Sequence, residues 1–431
     1  MHARDVRRNS DLSNASRDAG STLRSVESGC AAVGPAAGNI PELTRRDWLR
    51  AGTGAGVVAG LSAFLPNLFL GQRSLFGQQK ADTESGPLSN RKPPESYRLN
   101  GRPADRPRST EIESSGLKYI TPATQQAIER GLAYLAHAQR EDGSFGSGSM
   151  YRQNAAITAL AGISFLAGGH TPGRGKYGQQ VNQAAAFLIA NAEQSGYLHS
   201  PETHIHGPMY EHGFATLFLA ELYGMSPRDD LREALKKAIS VIVNSQNRDG
   251  GWRYHPIRKD ADVSVTVCQI MALRAARNAG LDVPKETVDR CIQYVKQCQN
   301  SDGGFKYQTT QGSPSVFARS AAGLVALYSA GIYEGREVDK ALKFLTHFTP
   351  RGDVFRGEQH YFYGHYYAVQ AMWQAGDEYW NRWFPAIRDE LLARQSPDGS
   401  WIDLQVCPEY GAAMACIILQ IPNNYLPIFQ R

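Results

Sequence analysis

Two carboxylates stand two residues apart in Asp260-Ala261-Asp262, directly before the apolar run from Val263 to Ala275. A carboxyl that delivers a proton at neutral pH needs a raised pKa, from a dry apolar setting or from a like-charged neighbour. Burial at a helix start would give Asp262 the first, and Asp260 would give it the second. The plainer role for Asp262 is that of an N-cap, because Asp accepts hydrogen bonds from the first N–H groups of a helix. The two roles are compatible. Histidines gather at similar points: His204, His206 and His212 around one apolar segment, His360 and His365 around another. They read as hydrogen-bonded loop and cap residues. A metal cluster would need several imidazoles within bonding distance, which a sequence does not show, and no metal ligand is assigned. Aromatic residues concentrate at Tyr361, Phe362, Tyr363, Tyr366, Tyr367 and Trp373. Aromatic faces stabilise cations and bind apolar chains. Ordinary helix packing is the other reading, and it suits Trp380 and Trp383 better.

A repeated string must position these groups. Gln246-Asn247-Arg248-Asp249-Gly250-Gly251-Trp252 recurs as Gln299 to Phe305, Gln139 to Phe145 and Gln395 to Trp401. Glu193 to Tyr197 is a reduced copy and Pro350 to Phe355 a degenerate one. The turn glycines Gly143, Gly196, Gly250, Gly303, Gly352 and Gly399 are separated by 53, 54, 53, 49 and 47 residues. A period near fifty marks an array of one supersecondary unit. Before each turn the apolar residues follow helical spacing, as in Ala234-Leu235, Ala238-Ile239 and Ile242-Val243. Asp-Gly stops that helix, because Gly takes positive φ cheaply. The aromatic after it, Trp252 in the central copy, covers the helix end. A second, more apolar helix follows the loop.

The second helices carry little charge and read as an inner ring; the first carry more and read as an outer one. The fold predicted is all-α, an (α/α)6 toroid of six helical hairpins around a central cavity, with an open solenoid as its competitor. In the closed form the inner-helix N-termini share one rim. Asp262, Tyr210, His212, Arg319, Tyr361, His365, Glu409 and Tyr410 are predicted there, with Tyr363 and Trp252 as further ligand contacts. Helix N-termini also favour an anion.

The rest of the chain bounds the function. A net charge of +5 over 431 residues carries no nucleic-acid signal. Residues 1–43 are polar and aperiodic, a composition of disorder. Thr44-Arg45-Arg46-Asp47-Trp48-Leu49-Arg50 then precedes an apolar run from Ala51 to Leu70. This resembles a twin-arginine export signal, so 1–70 is read as a signal region and the protein as periplasmic or extracellular. Pro66 interrupts the run and no clean cleavage site follows, which leaves an N-terminal membrane anchor as the alternative to cleavage. Residues 71–115, with five prolines and few large apolar groups, read as a disordered linker, and 116–431 as the toroid. Cys268, Cys291, Cys298, Cys407 and Cys416 form no metal-knuckle spacing and read as buried thiols.

The Gln-x3-Gly-x-Phe/Trp turns resemble the repeats of terpenoid cyclases of the squalene–hopene cyclase type and of protein prenyltransferase β subunits, over about residues 116–431. Tyr410-Gly411-Ala412-Ala413-Met414 and Ile421-Pro422-Asn423-Asn424-Tyr425-Leu426-Pro427 are similar to a group of exported bacterial prenyltransferase/squalene-oxidase-repeat proteins. The hopene-type cyclases carry Asp-x-Asp-Asp-Thr-Ala, whose middle Asp protonates an alkene. The resemblance places Asp262 in that role, while Val263 replaces the third Asp and Ser264 the Thr. The prenyltransferase zinc Cys falls on Ser264, and Asp289-Arg290-Cys291 lies on an outer helix, so no zinc and no other cofactor is implied. No Gly-Cys-Gly-Glu-Gln string occurs, which excludes a complement-like thioester domain. The resemblance implies an isoprenoid-like apolar ligand, bound and either cyclised or transferred. The alternatives are a non-catalytic scaffold with an envelope protein partner, and a glycan-acting toroid enzyme using Asp262 with Glu409.

Overall fold

The computed structural model describes residues 116, 118–200, 207–350 and 360–430. All of them belong to one compact unit, Leu88–Arg431. The export motif at Arg45-Arg46, the linker, His204, His206 and the degenerate turn at Gly352 lie outside the described residues.

Among the described residues twelve longer helices alternate. The outer ones are α1 (Pro122–Ala138), α3 (Gly178–Ala190), α5 (Asp229–Ser245), α7 (Lys285–Gln297), α9 (Arg336–Leu345) and α11 (Asp377–Arg394). The inner ones are α2 (Ala155–Ala167), α4 (Pro208–Met225), α6 (Val263–Asn278), α8 (Phe317–Ser329), α10 (Tyr361–Ala375) and α12 (Pro408–Gln420). A single helical turn, Gly148–Tyr151, precedes α2, and no strand occurs among the described residues. The inner helices are buried on almost every face, as their low charge predicts. Twelve of the thirteen residues of α2 are buried, against six of the thirteen in α3. Each inner helix packs on the next, and α12 packs back on α2, so the ring is closed and the solenoid alternative is excluded.

The pairing of helices differs from the sequence expectation in one respect. Most inner helices pack mainly on the outer helix that follows, α2 on α3, α4 on α5, α10 on α11, while α6 divides evenly between α5 and α7. The first outer helix, α1, therefore finds its partner in the last inner helix, α12. Closure joins the two ends of the toroid.

The repeat turns are the clamps of this arrangement. The Gln246 amide donates to Gly250 O within its own turn at 2.8 Å and to Thr287 O in the next outer helix at 2.9 Å. Gln139, Gln299 and Gln395 make the same pair of bonds, to Gln180 O, Glu337 O and Ala127 O of the adjoining outer helices. The glycine lets the backbones approach. Gly250 has φ 101°, and a Cβ there would lie 2.1 Å from Arg290 O. The aromatic seals the end of the helix just left: the Trp252 indole donates to Ile242 O and the Trp401 indole to Leu391 O.

The C-terminal segment closes the far end of the ring. Gln420 and Asn423 donate to Ser164 O and Ala167 O at the end of α2. The Ile428 N–H donates to the buried Glu221 carboxyl of α4, and Phe429 sits edge-on to Tyr366. A cavity of ≈ 20 Å³ remains there, between Arg274, Tyr328, Gln370, Gln374 and Phe429. That is room for a water and not for a ligand.

Candidate functional site

The inner-helix N-termini meet at the opposite end. Setting aside the N1 prolines, each inner helix exposes part of one residue in its first turn: Ala156, Tyr210, Ser264, Arg319, Tyr363 and Tyr410. Four of these, Tyr210, Arg319, Tyr363 and Tyr410, are the third residue of their helices, so equal register brings them to one rim. They interact as a group. Tyr210 and Tyr363 feel each other and Asp262; Arg319 feels Tyr363 and Asp262; Tyr363 feels Tyr410. Burial among these neighbours raises the three phenols well above their usual pKa, which keeps them neutral.

Asp262 lies behind this rim with none of its surface exposed. It is the N-cap of α6: Oδ1 accepts from the Val265 N–H at 2.9 Å. Its backbone N–H donates to Trp252 O, which ties the cap to the repeat turn. Its second oxygen, Oδ2, makes no hydrogen bond of ordinary length. Arg253 Nε stands 4.0 Å from that oxygen, and Arg253 is itself paired with Asp260 at 3.1 Å. Burial pushes the Asp262 carboxyl up to about 7, against the opposing pull of the Val265 bond, the Arg253 guanidinium and the Tyr307 hydroxyl. A group so poised is half protonated near neutrality, the condition a general acid requires.

Asp260 does not act as the like-charged neighbour expected of it. Its carboxylate is half exposed and engaged by Arg253, so solvent and a cation screen it from Asp262. The raised pKa is a burial effect.

Three residues that composition did not single out complete the surround. Tyr254 and Tyr307 join hydroxyl to hydroxyl beside Asp262, and the Arg253 guanidinium lies over both rings, 4.8 and 5.5 Å from their centroids. Both tyrosines stand two residues after a turn aromatic, Trp252 and Phe305, and 53 residues apart, the repeat step. Repeat phase was the signal that could have found them. Arg319 reaches the same place, over Tyr307 at 5.7 Å with its Nε donating to Phe305 O.

Other predicted residues are placed elsewhere. His212 is wedged between α4 and α5: its Nδ1 accepts from the Leu198 N–H, and its Nε2 lies 3.1 Å from Ala238 O. Burial lowers its pKa to about 4, so it is neutral in this role. Tyr361 and His365 turn toward the outer helix α11, where Arg394 covers the Tyr361 ring at 4.3 Å and Trp383 packs 6.1 Å from His365. Trp252 is inside the wall, at the end of α5. Glu409 accepts from the Ser147 hydroxyl at 2.8 Å. Among the described residues no group of three or more His, Cys, Asp and Glu could hold a metal ion.

Below the rim, among the described residues, side chains of α10 reach across to α6 where an open cavity was expected. The Tyr363 hydroxyl crosses from α10 to donate to Ser264 O of α6 at 3.1 Å. One turn deeper the Tyr367 hydroxyl meets Cys268 Sγ of α6 at 3.3 Å. Tyr367 packs edge-on against both Tyr363 and Tyr366, and Tyr366 against Phe214 and Phe429. Neither Tyr366 nor Tyr367 has any surface reachable by water.

Comparison with known proteins bears on this geometry. The prenyltransferase alpha-alpha toroid domain matches residues 114–360. A drimenyl diphosphate synthase of Streptomyces showdoensis is 24% identical over 189 residues, 44% of this chain and 33% of that protein. A second, from Streptantibioticus cattleyicolor, is 32% identical over 106 residues, 25% of this chain and 19% of that protein. The chain thus spans a third or less of the curated relatives it matches. The solved type II terpene cyclase MstE of Scytonema superposes with a TM-score of 0.50 at 16% identity, over 70% of this chain and 99% of that one. A variant of MstE holding its substrate, geranylgeranyl dihydroxybenzoate, gives 0.51 at 14% identity over 73% and 99%. A glycosidase variant gives 0.50 at 14% over 74% and 99%. At such identities the likeness shows the fold alone, and it does not separate a cyclase from a glycosidase.

Proposed function

This chain belongs to the prenyltransferase alpha-alpha toroid domain family, and from that premise we propose that it binds an isoprenoid-like apolar ligand at the tyrosine-lined rim and protonates it from Asp262. One observation carries the reading. A fully buried carboxyl with a pKa raised to about 7 keeps one oxygen without a hydrogen bond of ordinary length, at the end of the ring where the tyrosines converge. In the step proposed, the Asp262 O–H proton passes to an alkene carbon and leaves a carboxylate and a carbocation. The faces of Tyr210, Tyr363 and Tyr410 stabilise that cation, and its later loss of a proton to a base restores neutrality. Arg319 and the gathered helix N-termini suit an anionic head on the same ligand. Arg253 steadies the carboxylate once the proton has gone.

The test is Asp262→Asn, assayed with squalene and with prenyl diphosphates. Asn keeps the cap, so the protein should fold and bind as before, while product formation should fall 100-fold or more. Turnover that survives the change would remove Asp262 from the chemistry.

The closed axis supports a second reading, a non-catalytic scaffold whose rim binds an envelope partner. Failure of wild type to convert any compound in that panel would favour it. For the glycan-acting alternative nothing similar speaks, since Glu409 is committed to Ser147. Export rests on the Arg45-Arg46 pattern alone. Changing both to Lys should hold the folded protein in the cytoplasm, and unchanged export would make the pair a coincidence.

A further inference from the structure

Two cross-ring contacts hold the axis shut, and both join α10 to α6 past the intervening α8. Tyr363 bonds Ser264 O and Tyr367 touches Cys268 Sγ. Their positions in depth differ. Tyr363 is part of the rim and partly exposed, whereas Tyr367, four residues on, lies about 6 Å deeper along the helix with no exposed surface. Tyr367 is also braced from the side: its ring stands 4.8 Å from Tyr366, and Tyr366 in turn leans on Phe214 and on Phe429 of the C-terminal segment. A rigid aromatic held in this chain of rings cannot move aside without disturbing Tyr366 and, through it, Phe429 of the C-terminal segment.

We propose that Tyr367 is the floor of the ligand site and sets the length of apolar chain the ring admits. This rests on the isoprenoid reading above. The wild-type protein then takes a short chain lying across the rim, in contact with Tyr210, Tyr363 and Tyr410, and excludes chains that must pass the level of Cys268. The phenol contributes as volume. Its hydroxyl, against a sulfur, is a weak tie, so the ring and not the hydroxyl is the determinant.

The experiment measures binding, not turnover. Geranyl, farnesyl and geranylgeranyl diphosphate are titrated calorimetrically into wild type, Tyr367→Phe and Tyr367→Ala, with circular dichroism as the check on folding. Wild type should bind geranyl diphosphate at least tenfold more tightly than geranylgeranyl diphosphate. Tyr367→Phe should keep that order. Tyr367→Ala should lose or invert it by opening space below the rim. Tyr367→Leu keeps more of the packing and should narrow the ratio in the same direction if the Ala variant does not fold. A folded Ala or Leu variant with the wild-type order overturns the floor alone. Absence of binding of any of the three by folded wild type overturns the isoprenoid reading and the floor with it.

Discussion

The Gln395 side-chain amide donates to Ala127 O at 2.9 Å, and this bond joins the last repeat turn to the first outer helix across 268 residues of chain. The same amide holds Gly399 O at 3.0 Å. It is the contact that Gln139, Gln246 and Gln299 make with their sequence neighbours, used at this one position to close a circle.

Removing that clamp should loosen closure. Gln395→Ala leaves two carbonyls without their donor, and a lost donor to a buried acceptor costs about 1–3 kcal/mol. A drop of that size is expected in urea unfolding. Gln246→Ala should cost as much, since Gln246 is almost wholly buried. The two should differ in local opening: hydrogen exchange in α1 and α12 should quicken for Gln395→Ala and stay unchanged for Gln246→Ala. Equal exchange in both variants would mean the ring does not depend on that bond.

Much of this was legible in the sequence because the repeat imposes it. The Asp-Gly turns, the apolar second helices and the cap at Asp262 follow from local rules. The double bond made by the glutamine did not, because its second acceptor lies on a different helix. Membership of the rim was misjudged for a geometric reason. Successive residues of a helix turn by about 100°, so two positions rotate a side chain by about 200°. Tyr210 and Tyr363 face the rim, and His212, Tyr361 and His365, each two positions away, face the outer ring. Treating a whole first turn as one face blurred that distinction.

Glycines in the turns should rank by what stands opposite them. Gly250→Ala places a methyl group 2.1 Å from Arg290 O, where outer helix meets turn. Gly280 also has positive φ, 84°, but nothing lies within 4 Å of its Cβ direction. Gly280→Ala should therefore cost about 1 kcal/mol of backbone strain, and Gly250→Ala clearly more. Melting temperatures of the two variants give the comparison; equal losses would mean that the close approach relaxes freely.

Stability should fall as pH rises from 6.5 to 8. The buried carboxyls of Asp262 and Glu221 are raised to about 7 and about 8, whereas in the unfolded chain they titrate near 4. Between those limits the folded state holds protons that the unfolded state has lost, so each rise in pH disfavours folding. His212 and His365 act oppositely, lowered to about 4 and about 3, but their contribution fades as pH rises through about 6.5, where unfolded histidine loses its proton. Above that value the carboxyls dominate. Asp262→Asn combined with Glu221→Gln should flatten the alkaline limb in a series of urea midpoints. A limb that persists unchanged would assign it to other groups.

Arg253 should set the balance between the two aspartates. It is bonded to Asp260 and stands 4.0 Å from Asp262 Oδ2. In Asp260→Asn the guanidinium loses its charged partner and acts on Asp262 alone. That favours the Asp262 carboxylate and should lower its pKa. In Arg253→Gln the cation paired to both aspartates is gone, and burial should raise the pKa further. The two substitutions, at directly paired residues, are thus expected to move the same group in opposite directions. Carboxyl carbon shifts in protein labelled at aspartate, followed from pH 5 to 9, read the change without any substrate. If Asp262 is the acid, turnover near neutrality should follow it, reduced in Asp260→Asn because less of the acid form is present. A shift in the same direction for both variants would show that Arg253 acts on Asp262 through packing and not through charge.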